Sequence, residues 1–204
     1  MIQRIEKDQT EQRVVLLENH AEQVFELEAH SHLNYTCLSL AQKDLRHSIR
    51  VLFLGEHASC TIKILDFAKY NSKLESTIHV IHQVSNCSSS VLHKGLYRDA
   101  SQGSFHAQVN VGAKTMGSEA VQMHRSLLLS PDARCQADPH LVIQTDSVKC
   151  KHGVTVGQLD DKALFYLQAR GLSILEAQRL LIQAFSNEII GQFPEFQKRV
   201  EAWI

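Results

Sequence analysis

The chain has 204 residues, 44% of them hydrophobic, and a formal net charge of −1, a profile that fits a globular protein with a core of its own. Its 21 basic and 22 acidic residues leave no electrostatic case for nucleic acid or an anionic membrane. No apolar run approaches transmembrane length, and the start MIQRIEKDQTEQR has no signal-peptide core. With five scattered cysteines, this leads to the expectation of reduced thiols in a cytoplasmic compartment.

Residues 1–13 are polar and are expected to fray or to form a short first element. From Val14 onward, short apolar runs alternate with polar turns. Phe25, Leu27 and Ala29 share one parity, as do Leu33, Tyr35 and Cys37. The runs at 49–54 and 60–65 flank a polar link. Further on, Ile78, Val80, His82 and Val84 alternate, and so do Phe105, Ala107, Val109 and Val111. Period-2 alternation is the strand signal, and its recurrence without intervening helices predicts a mainly β fold.

Sandwich, barrel and β-helix layouts all fit that pattern. No Asn-Gly, Asp-Gly or Gly-Gly pair lies between strands, so the two-residue primed turns of tight hairpins lack their usual residues. Longer polar connections favour a coil that winds on into the next rung, although no strict repeat can be read out.

After Gly157 the period becomes helical. Leu159, Ala163, Leu164 and Leu167 share a face behind Asp160 and Asp161, and Gly171 reads as the stop. Ser173 to Glu176 is a capping-box pattern. It opens a second helix with its expected apolar face on Ala177, Leu180, Leu181, Ala184 and Phe185. The two make an α-helical hairpin, which residues 193–204 extend by a short helix. The expected division is a β core over 1–157 and a helical region over 158–204.

The common nucleotide-binding and hydrolase motifs are missing, including GxGxxG, GxSxG and HExxH. Three spacings resemble metal-ligand pairs. His30 and His32 fall on one side of a strand, His79 and His82 on opposite sides, and Cys150 and His152 on one side. Cys150 and His152 share their parity with Val148, Val154 and Val156, which predicts a buried face. A small buried cysteine with a satisfied histidine is one reading of the pair. The other is a ligand pair sealed when a partner arrives, with Gly153 allowing a bulge. A cluster normally takes four ligands, mostly thiolates, so the pair supplies part of a shell at most. Taken singly, most of the 12 histidines are expected at exposed polar positions.

The stretch DSVKCKHGVTVGQLDDKALFYLQARGL, and more broadly residues 125–190, resembles SufD-like members of the SufB/SufD family of iron–sulfur cluster assembly proteins. A looser likeness runs back through HVIHQVSNCSSSVLHKGL. The resemblance implies a right-handed parallel β-helix core and a non-catalytic scaffold role. It also implies a SufB-like partner subunit, a SufC-like ABC ATPase bound through the helical region, and a transient iron–sulfur cluster shared with a partner. Carried over by motif, His152 is the interface ligand, with Cys150 beside it as a second partial cluster ligand. Family members are longer, with an N-terminal helical domain, so a shortened β-helix interaction protein that forms a homodimer is the alternative. A histidine-based metal hydrolase is a third reading, weakened because no carboxylate is paired with the histidines in sequence.

Overall fold

The structure is a computed structural model that describes residues 2–113 and 115–204; Met1 and Lys114 lie outside the described residues. The polar start is the first rung of a coil: β1 (Ile2–Ile5) and β2 (Thr10–Leu17) are followed by β3 (Ala21–Leu27), β4 (His32–Ala41) and β5 (Leu45–Phe53). Next come β6 (Ser59–Ala68), β7 (Lys73–His82), β8 (Ser88–Tyr97), β9 (Gln102–Val111), β10 (Glu119–Leu128), β11 (Arg134–Ile143) and β12 (Lys149–Gly157). Odd strands form one six-stranded sheet in the order β1-β3-β5-β7-β9-β11, and even strands form the other, β12-β10-β8-β6-β4-β2. All pairings between neighbours are parallel. Strands laid alternately on two parallel sheets make a β-helix, so the sandwich and barrel layouts fall away.

The register explains why no repeat is visible in the sequence. Thr10, His32, Ser59, Ser88, Glu119 and Lys149 stand side by side across the even sheet. The step from one to the next is 22 residues, then 27, then 29 to 31, so the coil never settles on one period. The corners explain the missing hairpin turns. Asp8, His30, His57 and Asn86 occupy successive rungs with φ of 61°, 57°, 61° and 59°, and Gly117 follows at 66°. One left-handed residue turns the chain there, a conformation that Asp, Asn and His adopt more readily than most residues. The backbone N–H of Asp8, His30, Asn86 and Gly117 each donates to a carbonyl of the next coil, at 2.8–3.1 Å.

Inward residues of both sheets fill the lumen, and Phe25, Tyr35, Phe53, Ile62 and Phe105 are all buried. The even sheet is also covered on its outer face. Leu38, Leu40, Leu65, Phe67 and Leu96 make a buried apolar floor, which accounts for the nearly continuous burial along the second halves of β4 and β6. On that floor lies α2 (Ile174–Ile190), with α1 (Asp161–Ala169) before it and α3 (Pro194–Glu201) after it. The expected signals bound the helices. Asp160 accepts from the Lys162 N–H, the Ser173–Glu176 capping box is closed, and Gly171 turns at φ 94°.

The apolar face expected for α2 is only partly the buried one. Ala177 is buried as expected, but the rest of the buried face is Ile182, Ser186, Ile189 and Ile190, while Leu180 and Ala184 face out. The helix is apolar on two sides, and the Leu/Phe floor takes the isoleucine side. Lys94 of β8 fixes the contact, its Nζ donating to the Phe185 carbonyl at 2.7 Å. The same ammonium lies 2.5 Å from Glu188 and 4.3 Å from the Phe185 ring centre. Among the described residues, no helix is long and apolar enough to cross a membrane.

Candidate functional site

Among the described residues nothing caps the last rung of the coil. β11 pairs with β9 and β12 with β10, and among the described residues neither has a neighbour strand on the other side. Each outer edge therefore presents unpaired backbone donors and acceptors. Pro139 within β11 fits this position, since an edge strand tolerates the missing N–H. Val142, Ile143, Val154 and Val156 are exposed along the same end.

Cys150 and His152 stand on β12 opposite Ala120 and Gln122, with the parity expected of them. The expected burial is corrected. Cys150 is half-buried against the core, while His152, Val154 and Val156 are exposed, because no further rung lies over them. The expected bulge at Gly153 is also absent, since β12 keeps register with β10 without interruption from Lys149 to Gly157. Gly153 instead makes room for a side chain: a Cβ there would lie 2.8 Å from Met123 Cε.

Burial pushes the Cys150 thiol up, partly countered by a backbone hydrogen bond from Ala120. The His152 side chain makes no hydrogen bond or ion pair with the described residues, so its ring nitrogens are available. Thiol and imidazole thus sit together at the exposed edge. Among the described residues no group of three or more His, Cys, Asp or Glu side chains is arranged so that it could hold a metal ion.

The other two spacings do not form sites. His30 leaves the strand at its left-handed corner and stacks on His57 at 5.0 Å, while His32 Nδ1 is 2.7 Å from Ser59 Oγ. The expected placing of His30 and His32 on one side of a strand is therefore wrong. His79 points outward, and buried His82 bonds through Nε2 to Ser89 Oγ at 2.9 Å.

The sequence reading missed a polar cluster inside the lumen. Asp66 is fully buried, 3.2 Å from His47 Nε2 and 2.7 Å from His93 Nε2, and Ser76 Oγ donates to the same carboxylate. Burial works to raise the Asp66 pKa, but the two imidazoles outweigh it and hold the carboxyl below the usual range. Asp66 and His93 are 27 residues apart and His93 and His124 are 31 apart. His124 stands directly opposite His93, and Asp66 opposite Gly95, two residues from His93, so the cluster is visible only once the register is known.

A two-sheet parallel β-helix with an unsealed, thiol- and imidazole-bearing end and a helical pair on its flank is the class that fold and site define. Residues 7–185 match the family described as SUF system FeS cluster assembly, SufBD core domain. The chain belongs to the SufB/SufD family of iron–sulfur cluster assembly proteins, among its SufD-like members. It is 32% identical over 145 residues to the iron–sulfur cluster assembly protein SufD of Escherichia coli, a match covering 71% of this chain and 34% of that one. A SufBD family protein of Synechocystis is 39% identical over 159 residues, covering 77% of this chain and 35% of its own. The chloroplastic protein ABCI7 of Arabidopsis thaliana is 33% identical over 176 residues, covering 86% and 37%. The matched segment is thus little more than a third of the length of each of these relatives.

Proposed function

We propose that the chain is the core of a non-catalytic scaffold subunit for iron–sulfur cluster assembly. In this reading residues 1–157 meet a SufB-like subunit at the terminal rung, and residues 158–204 receive a SufC-like ABC ATPase. The observation that carries it is the unsealed end with Cys150 and His152 on it. A partner strand laid along β11 or β12 satisfies the free backbone groups and covers the exposed valines and isoleucine. It also brings the thiol and imidazole to the seam, where thiolates of the partner complete a four-ligand shell around a transient cluster, which is the cargo. The helical pair supports the second contact. Phe165 on α1 is 74% exposed and Leu175 on α2 is 65% exposed, apolar surface that the packing of α2 on the sheet leaves uncovered.

Co-expression with SufB-like and SufC-like proteins tests this directly. The chain alone is expected to show no ATPase activity and to recover both partners. His152→Ala is expected to lower the cluster content of the complex without loss of folded protein. Phe165→Ala with Leu175→Ala is expected to release the ATPase alone. Failure to recover any SufC-like ATPase refutes the assignment, and an unchanged cluster yield in His152→Ala removes the histidine from it. The same edge favours a second reading, a homodimer that pairs β12 with β12 about a twofold axis. Light scattering that gives a dimer unaffected by a SufB-like chain supports that reading.

A further inference from the structure

One buried acceptor beneath the terminal rung has no donor. Gln122 lies on β10, directly opposite His152 of β12 and on the same face of the sheet. It is 1% exposed. Its Nε2 crosses the lumen and donates to the Ala107 carbonyl of β9 at 3.1 Å. A carbonyl only accepts, so this contact fixes which end of the amide is nitrogen and which is oxygen. The Oε1 atom is then left buried with no hydrogen-bond partner among the described residues. Buried acceptors of that kind are rare, because the lost hydration is not replaced.

The neighbours of Gln122 narrow the missing donor to one side chain. Across the ladder it has Val91 on one side and His152 on the other. Its same-face neighbours along β10 are Ala120, which is apolar, and His124. Both ring nitrogens of His124 are engaged, Nδ1 at 2.9 Å from His93 Nδ1 and Nε2 at 2.9 Å from Ser126 Oγ. Cys150 stands diagonally, opposite Ala120, and as a thiolate ligand it has no proton to give. The His152 imidazole has ring nitrogens that no other described residue uses. It stands one strand spacing from Gln122, about 4.8 Å, within reach of a side-chain rotation.

We propose that Gln122 is the positioning residue for His152. When a partner covers the terminal rung, the imidazole turns onto Gln122 and its Nδ1–H donates to Oε1. Nδ1 is the nitrogen nearer the strand, so Nε2 is left with its lone pair directed to the seam. The amide is already held by Ala107, so the acceptor is in place before the ring arrives. Covering the rung and selecting the ligating tautomer thus become one event. This inference rests on the proposed cluster seam and names the residue that orients its histidine.

The test uses the complex with a SufB-like and a SufC-like protein, with the histidines of this chain labelled with nitrogen-15. His152 is assigned by its absence from His152→Ala, and its tautomer is read from the ring nitrogen shifts of the cluster-free complex. The Nδ1–H form is expected to predominate in the parent and in Gln122→Glu, which keeps the oxygen and the shape. Both tautomers are expected in Gln122→Met, which keeps the shape without the acceptor. Cluster content at limiting iron is expected to fall about tenfold in Gln122→Met and less than about twofold in Gln122→Glu. A parent with the tautomer mixture of Gln122→Met, or a Gln122→Met complex with the parent's cluster content, overturns the proposal. The scaffold reading then still stands if His152→Ala has lost its cluster. A His152→Ala complex that keeps its cluster removes the histidine from the seam, and this proposal falls with it. Should Gln122→Met fail to fold, the tautomer of the parent decides alone.

Discussion

Replacing Lys94 with Ala and with Met separates two contributions to the seating of α2. The Lys94 side chain is 2% exposed, so its four-carbon stem is packed as fully as a core residue. Truncation to Ala loses that packing and leaves a cavity, a cost of about 2–5 kcal/mol. The ammonium contributes a charged hydrogen bond to the Phe185 carbonyl, about 1.5–3 kcal/mol. Its ion pair adds less than about 1 kcal/mol, because Glu188 is 47% exposed. Against these stands the desolvation of the ammonium, large enough to lower its pKa despite Glu188. Met keeps the stem, drops the head, and leaves the Phe185 carbonyl in its helix and Glu188 in water. Lys94→Ala is therefore expected to cost about 3–4 kcal/mol, and Lys94→Met to fall within about 1 kcal/mol of the parent. Urea unfolding followed by circular dichroism measures both, and hydrogen exchange shows whether α2 opens first. A Met variant as damaged as the Ala variant refutes the reasoning, because the head group would then outweigh the stem.

Burial holds His82 at about 4, so the folded state keeps it neutral where the unfolded chain takes up a proton. Stability is thus complete above the ordinary histidine pKa and is lost as pH falls toward about 4; His82→Gln is expected to remove about 2 kcal/mol of the loss between about pH 7 and about pH 5, read from urea midpoints. Gly103→Ala is expected to cost about 1–3 kcal/mol by overpacking against the Tyr97 ring. Adding Tyr97→Leu should recover part of that, and two costs that simply add would show that the ring is not the obstacle.

The legible parts of the fold are those whose lumen is apolar. β7 and β9 carry Ile78, Val80, Phe105 and Val109 inward, and their alternation shows at once in the sequence. β8 and β10 carry Ser89, His93, Gly95, Gln122, His124 and Ser126 inward, so their alternation is polar against polar and cannot be seen by hydropathy. The strands that escape notice are therefore the ones that hold the buried polar cluster. The Cys150–His152 pair was legible as a shared parity, but its exposure was not, because exposure depends on which rung comes last. The face of α2 was ambiguous for a related reason: two apolar sides are present, and only the floor of Leu38, Leu65 and Phe67 decides between them.

The shortness of the first rungs has a consequence for how the molecule comes apart. Each rung holds only its immediate neighbours, so opening proceeds from the ends inward like a spring being unwound. The first coil, with its 22-residue turn and the four-residue β1, has the least to hold it and should let go earliest. Peeling would slow at His47 and Asp66, where buried side-chain contacts add to the backbone ladder and link four successive rungs from β5 to β11. The lumen chain then acts as a ratchet pawl, with the half that carries the open end on its protected side.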